Sequence, residues 1–236
     1  MNQSPFRPFE THIDRDAALT RLRDATAGAD DGELFLERRR SEVLSFDDGR
    51  LRTASYDASE GFGLRAVRGE TSGYAHSSEI SEASLARAVD TARLAVGDGG
   101  GTLAPAPQHT NTRLYTDADP VAGAGFGLKV ETLREIDAFT RDLDPRVVQV
   151  SATLAAGLQE VMILRPDGVA VSDSRPMARL NVSVIVEQDG RRESGSTGGG
   201  GRVTLDGVIA RDNWEAQARE ALRIALVNLE AVPAPA

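Results

Sequence analysis

The chain has 236 residues, 40% of them hydrophobic, and 27 basic against 36 acidic side chains give a formal net charge of −9. That length suits one ordinary domain or two small ones and buries roughly 70% of the surface the unfolded chain exposes, so no disulfide, metal or lipid is needed to hold a core. The lack of cysteine excludes disulfides, thiolate nucleophiles and Cys-based zinc or iron–sulfur sites.

The first ten residues, Met1 to Glu10, carry Pro5 and Pro8 and no apolar run, so they do not read as a signal peptide. Asp14 is a good N-cap for a first helix with Ala18, Leu19, Leu22 and Ala25 at helical spacing, ending at Gly28. The period then changes to that of strands: Leu34 to Arg40, Val43 to Phe46, Leu51 to Tyr56, Gly61 to Arg68 and Ser72 to His76. Asp47-Asp48-Gly49 and Gly69-Glu70 between them are hairpin chemistry. Arg38-Arg39-Arg40, flanked by Glu37 and Glu42, reads as a solvated strand edge. Ser81 caps a second helix with Leu85, Ala88, Val89, Ala92 and Val96 on one stripe, and Gly97 ends it.

A Gly- and Pro-rich connector at 99–127 follows, with Gly99-Gly100-Gly101, Pro105, Pro107, Pro120, Gly123, Gly125 and Gly127. A third helix is expected from Lys129 to Asp142, stopping before Pro145. A meander comes next, through Val147 to Ala155, Leu158 to Leu164, Val169 to Ser172 and Leu180 to Glu187, with turns at Pro166-Asp167-Gly168 and Gln188-Asp189-Gly190. Leu180, Val182, Val184 and Val186 alternate with Asn181, Ser183 and Ile185, which puts one face on a core. A closing helix runs from Asp212 to Leu229 on a stripe of Trp214, Ala218, Ala221, Leu222, Ala225 and Leu229. The order helix, meander, helix occurs twice. The expected class is α+β: mostly antiparallel meanders flanked by helices, in two similar halves at 11–98 and 128–231.

Chemistry is sparse. His12, His76 and His109 lie in separate segments and none belongs to a metal-binding helix, so each reads as a surface or structural residue. No Gly-x-Ser-x-Gly elbow is present, and no spaced carboxylate pair stands out for an independent hydrolase. Gly61-Phe62-Gly63-Leu64-Arg65-Ala66 has the spacing of a dinucleotide fingerprint but continues as strand instead of opening a helix. No basic stripe accompanies the acidic balance, so no nucleic-acid binding is expected; nor is there an apolar run of membrane-spanning length. The unusual stretch is Glu193 to Arg202, in which Gly198, Gly199, Gly200 and Gly201 precede Arg202. It is either a flexible loop after a strand or a bare backbone with a guanidinium, suited to an anion or an extended peptide.

Several of these residues together resemble the TldD/PmbA metallopeptidase family, on its TldD side. The resemblance rests on Leu36-Glu37 with the Asp48-Gly49 hairpin, on Gly61 to Val67 leading into Gly73-Tyr74-Ala75, and on Asp144-Pro145-Arg146-Val147. Asp167-Gly168, Asp173-Ser174-Arg175-Pro176, the Gly198 to Arg202 block and Ala225 to Leu229 continue it, over nearly the whole length.

The resemblance implies a zinc-dependent peptidase that works in a TldD–TldE (PmbA-like) heterodimer on unfolded or extended peptides, in the cytoplasm. Members are linked to microcin processing, antitoxin turnover and modulation of DNA gyrase. The family's HExxxH metal helix and a distant metal-binding Cys have no counterpart between Met1 and Ala236, so no catalytic or metal residue carries over and the chain is expected to be inactive alone. Ala234-Pro235-Ala236 after a helix reads as the start of an interdomain linker. The chain is thus expected to be the noncatalytic N-terminal domain of such an enzyme, helping to enclose the peptide chamber beside its own C-terminal domain. Gly198, Gly199, Gly200, Gly201, Arg202, Tyr74, Asp173 and Arg175 are its candidate peptide contacts. The alternative is a natural stand-alone module that binds peptides or pairs with a PmbA-like subunit.

Overall fold

The computed structural model describes residues 6–97, 102 and 114–232. About half of the expected connector, including Gly99 to Gly101, Pro105, Pro107 and His109, lies outside them, as do the side chain of Val96 and the ending Ala234-Pro235-Ala236. The elements run α1 (Pro8–Thr11), α2 (Arg15–Ala25), β1 (Asp31–Asp47), β2 (Arg50–Arg68), β3 (Thr71–Ser77), α3 (Glu82–Val96), α4 (Phe126–Leu143), β4 (Val147–Leu164), β5 (Ala170–Gln188), β6 (Arg191–Gly201), α5 (Leu205–Ile209) and α6 (Arg211–Glu230). The fold is α+β, with one six-stranded antiparallel sheet in the order β3-β2-β1-β4-β5-β6.

Turn chemistry sets the hairpins. Asp48 and Gly49 (φ 48° and 75°) and Asp189 and Gly190 (φ 53° and 79°) both take the left-handed region at the two central positions, as a type I′ turn requires. The Asp14 carboxylate accepts from the backbone N–H groups of Asp16 and Ala17, and Ser81 with Ser84 forms a capping box at α3.

Four strands are longer than the sequence suggests. Leu34 to Arg40 and Val43 to Phe46 fuse into β1, Leu51 to Tyr56 and Gly61 to Arg68 into β2, and the paired segments of the second meander into β4 and β5. The polar stretches Ser41-Glu42 and Asp57 to Glu60 look like breaks but continue as strand, because ladder pairing and not apolar content defines it. Two short helices, α1 and α5, carry too little periodic signal to be expected.

Two units each enclose their own core. The first comprises 1–39, 58–114 and 159–174, and the second 40–57, 115–158 and 175–236. In the first, Ala18 and Leu22 of α2 and Leu85, Val89 and Ala92 of α3 pack on Leu34, Leu36 and Leu64 of the strands. In the second, Leu180, Val182, Val184 and Val186 of β5 are fully buried against Leu133 and Ile136 of α4 and Trp214, Ala218, Ala221 and Ala225 of α6. Phe139 meets the Trp214 ring edge-on at 5.4 Å.

The arginine run departs from expectation. Arg38 donates from Nε and Nη2 to Glu160 and its side chain is 20% exposed; Arg40, 5% exposed, pairs with Asp119 at 2.9 Å. Only Arg39 faces water, since strand alternation turns its two neighbours the other way. Lys129, the only lysine of the chain, is buried between Glu42 and the carbonyl of Val121.

Candidate functional site

The tetraglycine stretch is not a loop. It is the second half of β6, the last strand in the sheet order, paired to β5 with Gly198 opposite Asn181, Gly199 opposite Leu180, Gly200 opposite Arg179 and Gly201 opposite Ala178. The two-residue turn at Asp189-Gly190 starts this register, and the alternation of β5 decides which face each residue takes. As an edge strand, β6 leaves alternate N–H and C=O groups directed away from β5. One of them, the Ser194 carbonyl, accepts from Asn228 of α6.

The glycines answer to different neighbours. A Cβ at Gly195 would stand 2.2 Å from the Ala221 carbonyl oxygen, so this glycine lets α6 lie directly on β6. Gly200 has φ 153°, and a Cβ there would stand 2.1 Å from the Ala178 carbonyl oxygen. A Cβ at Gly198 would stand 2.1 Å from Asn181 Oδ1 and 3.1 Å from Arg179 Nη2. Below Gly199 lies Gln217 of α6, whose Nε2 would be 3.3 Å from an added Cβ. The Gln217 side chain is buried, and among the described residues neither its Nε2 nor its Oε1 has a hydrogen-bond partner.

On the other side of the sheet, a groove of about 490 Å³ runs over β4, β5 and β6, lined by Ser151, Thr153, Arg179, Asn181, Ser183, Ser196, Thr197 and Gly198 with Val182. Arg179 Nε donates to Asn181 Oδ1 at 2.9 Å. Ser151 and Gln149 donate to Asp47, and these two hydrogen bonds hold its carboxyl below the usual carboxylate range.

The sequence-derived candidates do not converge. Gly198 to Gly201 lie on the last strand of the order and Tyr74 on the first, β3. The Tyr74 ring stacks on His76 at 5.7 Å and lies across Gly63, whose Cβ would be 2.7 Å from the Tyr74 hydroxyl. Arg202 sits with its guanidinium 4.8 Å from the centre of the Tyr115 ring. Asp173 and Arg175 are partly buried on β5, and both are engaged within the protein. Sequence reasoning missed Arg179 and Gln217. For Arg179 a signal existed, because counting back from the Asp189-Gly190 turn puts it and Asn181 beside the glycines, on the face that the buried Leu180 and Val182 leave free.

Among the described residues, no group of three or more His, Cys, Asp or Glu side chains is placed to hold a metal ion. His12 Nε2 lies 3.0 Å from Glu60 and its Nδ1 2.6 Å from the Thr11 hydroxyl. No helix among the described residues is long and apolar enough to cross a membrane.

Comparison with known proteins places these features in context. Residues 32–96 match the family model for PmbA/TldA metallopeptidase domain 1, and residues 119–229 that for the PmbA/TldA metallopeptidase central domain. The metalloprotease TldD homologue of Haemophilus influenzae is 35% identical over 214 residues, which cover 88% of this chain and 44% of that protein. Its counterpart from Buchnera aphidicola (Acyrthosiphon pisum) is 31% identical over 223 residues, or 92% of this chain and 46% of that one. TldE from Thermococcus kodakarensis shares the fold at a TM-score of 0.71 and 15% identity, over 92% of this chain and 49% of that chain. So does a Thermotoga maritima protein bearing the name modulator of a DNA gyrase, at 0.74 and 14%, over 93% and 50%. The chain spans about half the length of these relatives, and it belongs to the PmbA/TldD metallopeptidase family.

Proposed function

We propose that this chain is the noncatalytic N-terminal part of a TldD-like zinc metallopeptidase, and that it supplies a wall of the chamber in which extended peptides are held. The observation that carries the reading is β6, a sheet-edge strand whose last four residues, Gly198 to Gly201, present backbone without side chains. An extended peptide adds to such an edge through main-chain hydrogen bonds, which suits a substrate recognised by being unfolded and not by one sequence. Identity of 31–35% to proteins named as TldD homologues supports the peptidase assignment. In this reading the chain works beside a PmbA/TldE-like subunit as heterodimer partner, in the cytoplasm.

A peptidase zinc needs about three protein ligands and an open position for water. The described residues do not fit it: His12 is taken up by Glu60 and Thr11, His76 is stacked on Tyr74, and no three His, Cys, Asp or Glu side chains among them are placed to hold a metal ion. In this reading the metal ligands of the proposed enzyme come from the part of the relatives' length that this chain does not span.

Backbone-methylated peptides test the docking mode. A strand pairs through every second N–H, so N-methylation of one alternating set abolishes binding and methylation of the other set leaves it nearly intact. Fluorescence anisotropy of labelled nine-residue peptides reads this out. Equal binding by both methylated sets would remove β6 strand addition from the mechanism.

A further inference from the structure

We infer that the groove over Gly198 is a subsite for a carboxylate, in which Arg179 takes an Asp or Glu side chain of a peptide strand added along β6. The inference rests on the strand-addition reading above and names the substrate class it favours.

Gly198 is the hinge of the argument. Because it has no Cβ, the Arg179 side chain reaches from β5 over β6, and its Nη2 lies 3.1 Å from where that Cβ would stand. The guanidinium is thereby carried towards the free edge of the sheet. Asn181, opposite Gly198, holds it there by accepting from Nε at 2.9 Å, which leaves both terminal nitrogens directed elsewhere. None of the described residues accepts a hydrogen bond from those nitrogens.

Charge decides the ligand. Among the described residues, Arg179 is the only formally charged one lining the groove, in a chain whose net charge is −9. The Asp47 carboxylate, which Ser151 of the lining reaches, also receives Gln149. The rest of the wall includes the hydroxyls of Thr153, Ser183 and Ser196, which can donate to an anion without competing with it in charge. A strand added to β6 lies about 4.8 Å away, and its side chains alternate between faces. A residue opposite Gly198 on the groove face meets no side chain from β6, so an Asp or Glu there folds back over the glycine onto the guanidinium as a bidentate pair.

The test uses the full chain and nine-residue Ser/Thr/Val peptides, acetylated and amidated, with a single central Glu or Gln. The Glu peptide is expected to bind about tenfold more tightly than the Gln peptide, with a preference that fades in high salt. In Arg179→Gln the two peptides bind equally, at the level the Gln peptide shows with the native chain; Arg179→Glu prefers a central Lys. Circular dichroism melts confirm that the exposed substitutions leave the fold intact. A Gln peptide with a free C-terminus distinguishes the sources of carboxylate, since tight binding by it and not by the Glu peptide assigns the groove to chain ends and overturns the side-chain subsite. If both peptides bind equally to the native chain and remain sensitive to N-methylation, the subsite is wrong and β6 docking stands. If neither binds, both fall.

Discussion

Gln217 is the residue whose chemistry is least settled by its surroundings. Its amide is buried under Gly199 with both polar atoms unpartnered, and each such atom costs about 1–3 kcal/mol of desolvation. Met has nearly the same length and no such requirement, so Gln217→Met is expected to raise the melting temperature by several degrees, at about 2–4 °C per kcal/mol for a chain of this size. Differential scanning calorimetry checks it. A lower melting temperature would show that the amide is paired in solution, by water or by the strand it underlies. Nothing in the sequence marked Gln217, because a Gln on the apolar stripe of α6 looks like any helix-surface residue until the helix is docked. Arg202 was marked and is instead stacked on Tyr115, a contact between distant segments that no local pattern reports.

At the scale of elements, α6 is seated directly on β6. Arg191 donates from its terminal nitrogens to the carbonyls of Asn228 and Ala231, closing the end of α6, and Asn228 reaches back to the Ser194 carbonyl. Gly195 lets the two backbones meet. Replacing a strand glycine by Ala ordinarily gains about 0.4–1 kcal/mol by restricting the unfolded chain. At Gly195 the added Cβ meets backbone atoms of α6 at 2.2 and 2.4 Å, which cannot yield as a side chain would. The clash wins, and Gly195→Ala is expected to destabilise by about 1–3 kcal/mol in urea unfolding. An unchanged or higher midpoint would mean that α6 slides on the sheet. Helices α2, α3, α4 and α6 and all the hairpin turns were legible from caps, spacing and Asp-Gly pairs. Strand continuity was not. Long-range pairing keeps Ser41-Glu42 and Asp57 to Glu60 extended, and a polar strand segment has no period that separates it from a loop.

For the whole molecule, each unit encloses its own apolar core, and family membership is what raises the question of a metal. The two family models cover most of the described chain, and several of the carboxylates and imidazoles within it are already paired inside the protein. Glu160 accepts from Arg38 and from the Phe6 backbone, Glu42 holds Lys129, Asp119 holds Arg40, and His12 holds Glu60. An ion that bound the native state with a dissociation constant one hundredth of its free concentration would add about 2.7 kcal/mol of stability. That is a melting shift of several degrees, readily measured. Added zinc or a chelator is therefore expected to leave the melting temperature of this chain unchanged, and in a full-length relative the same additions should move it. A zinc-dependent rise in this chain would show that ligands come together here after all, and the division of labour proposed between this part and the rest of the enzyme would have to be redrawn.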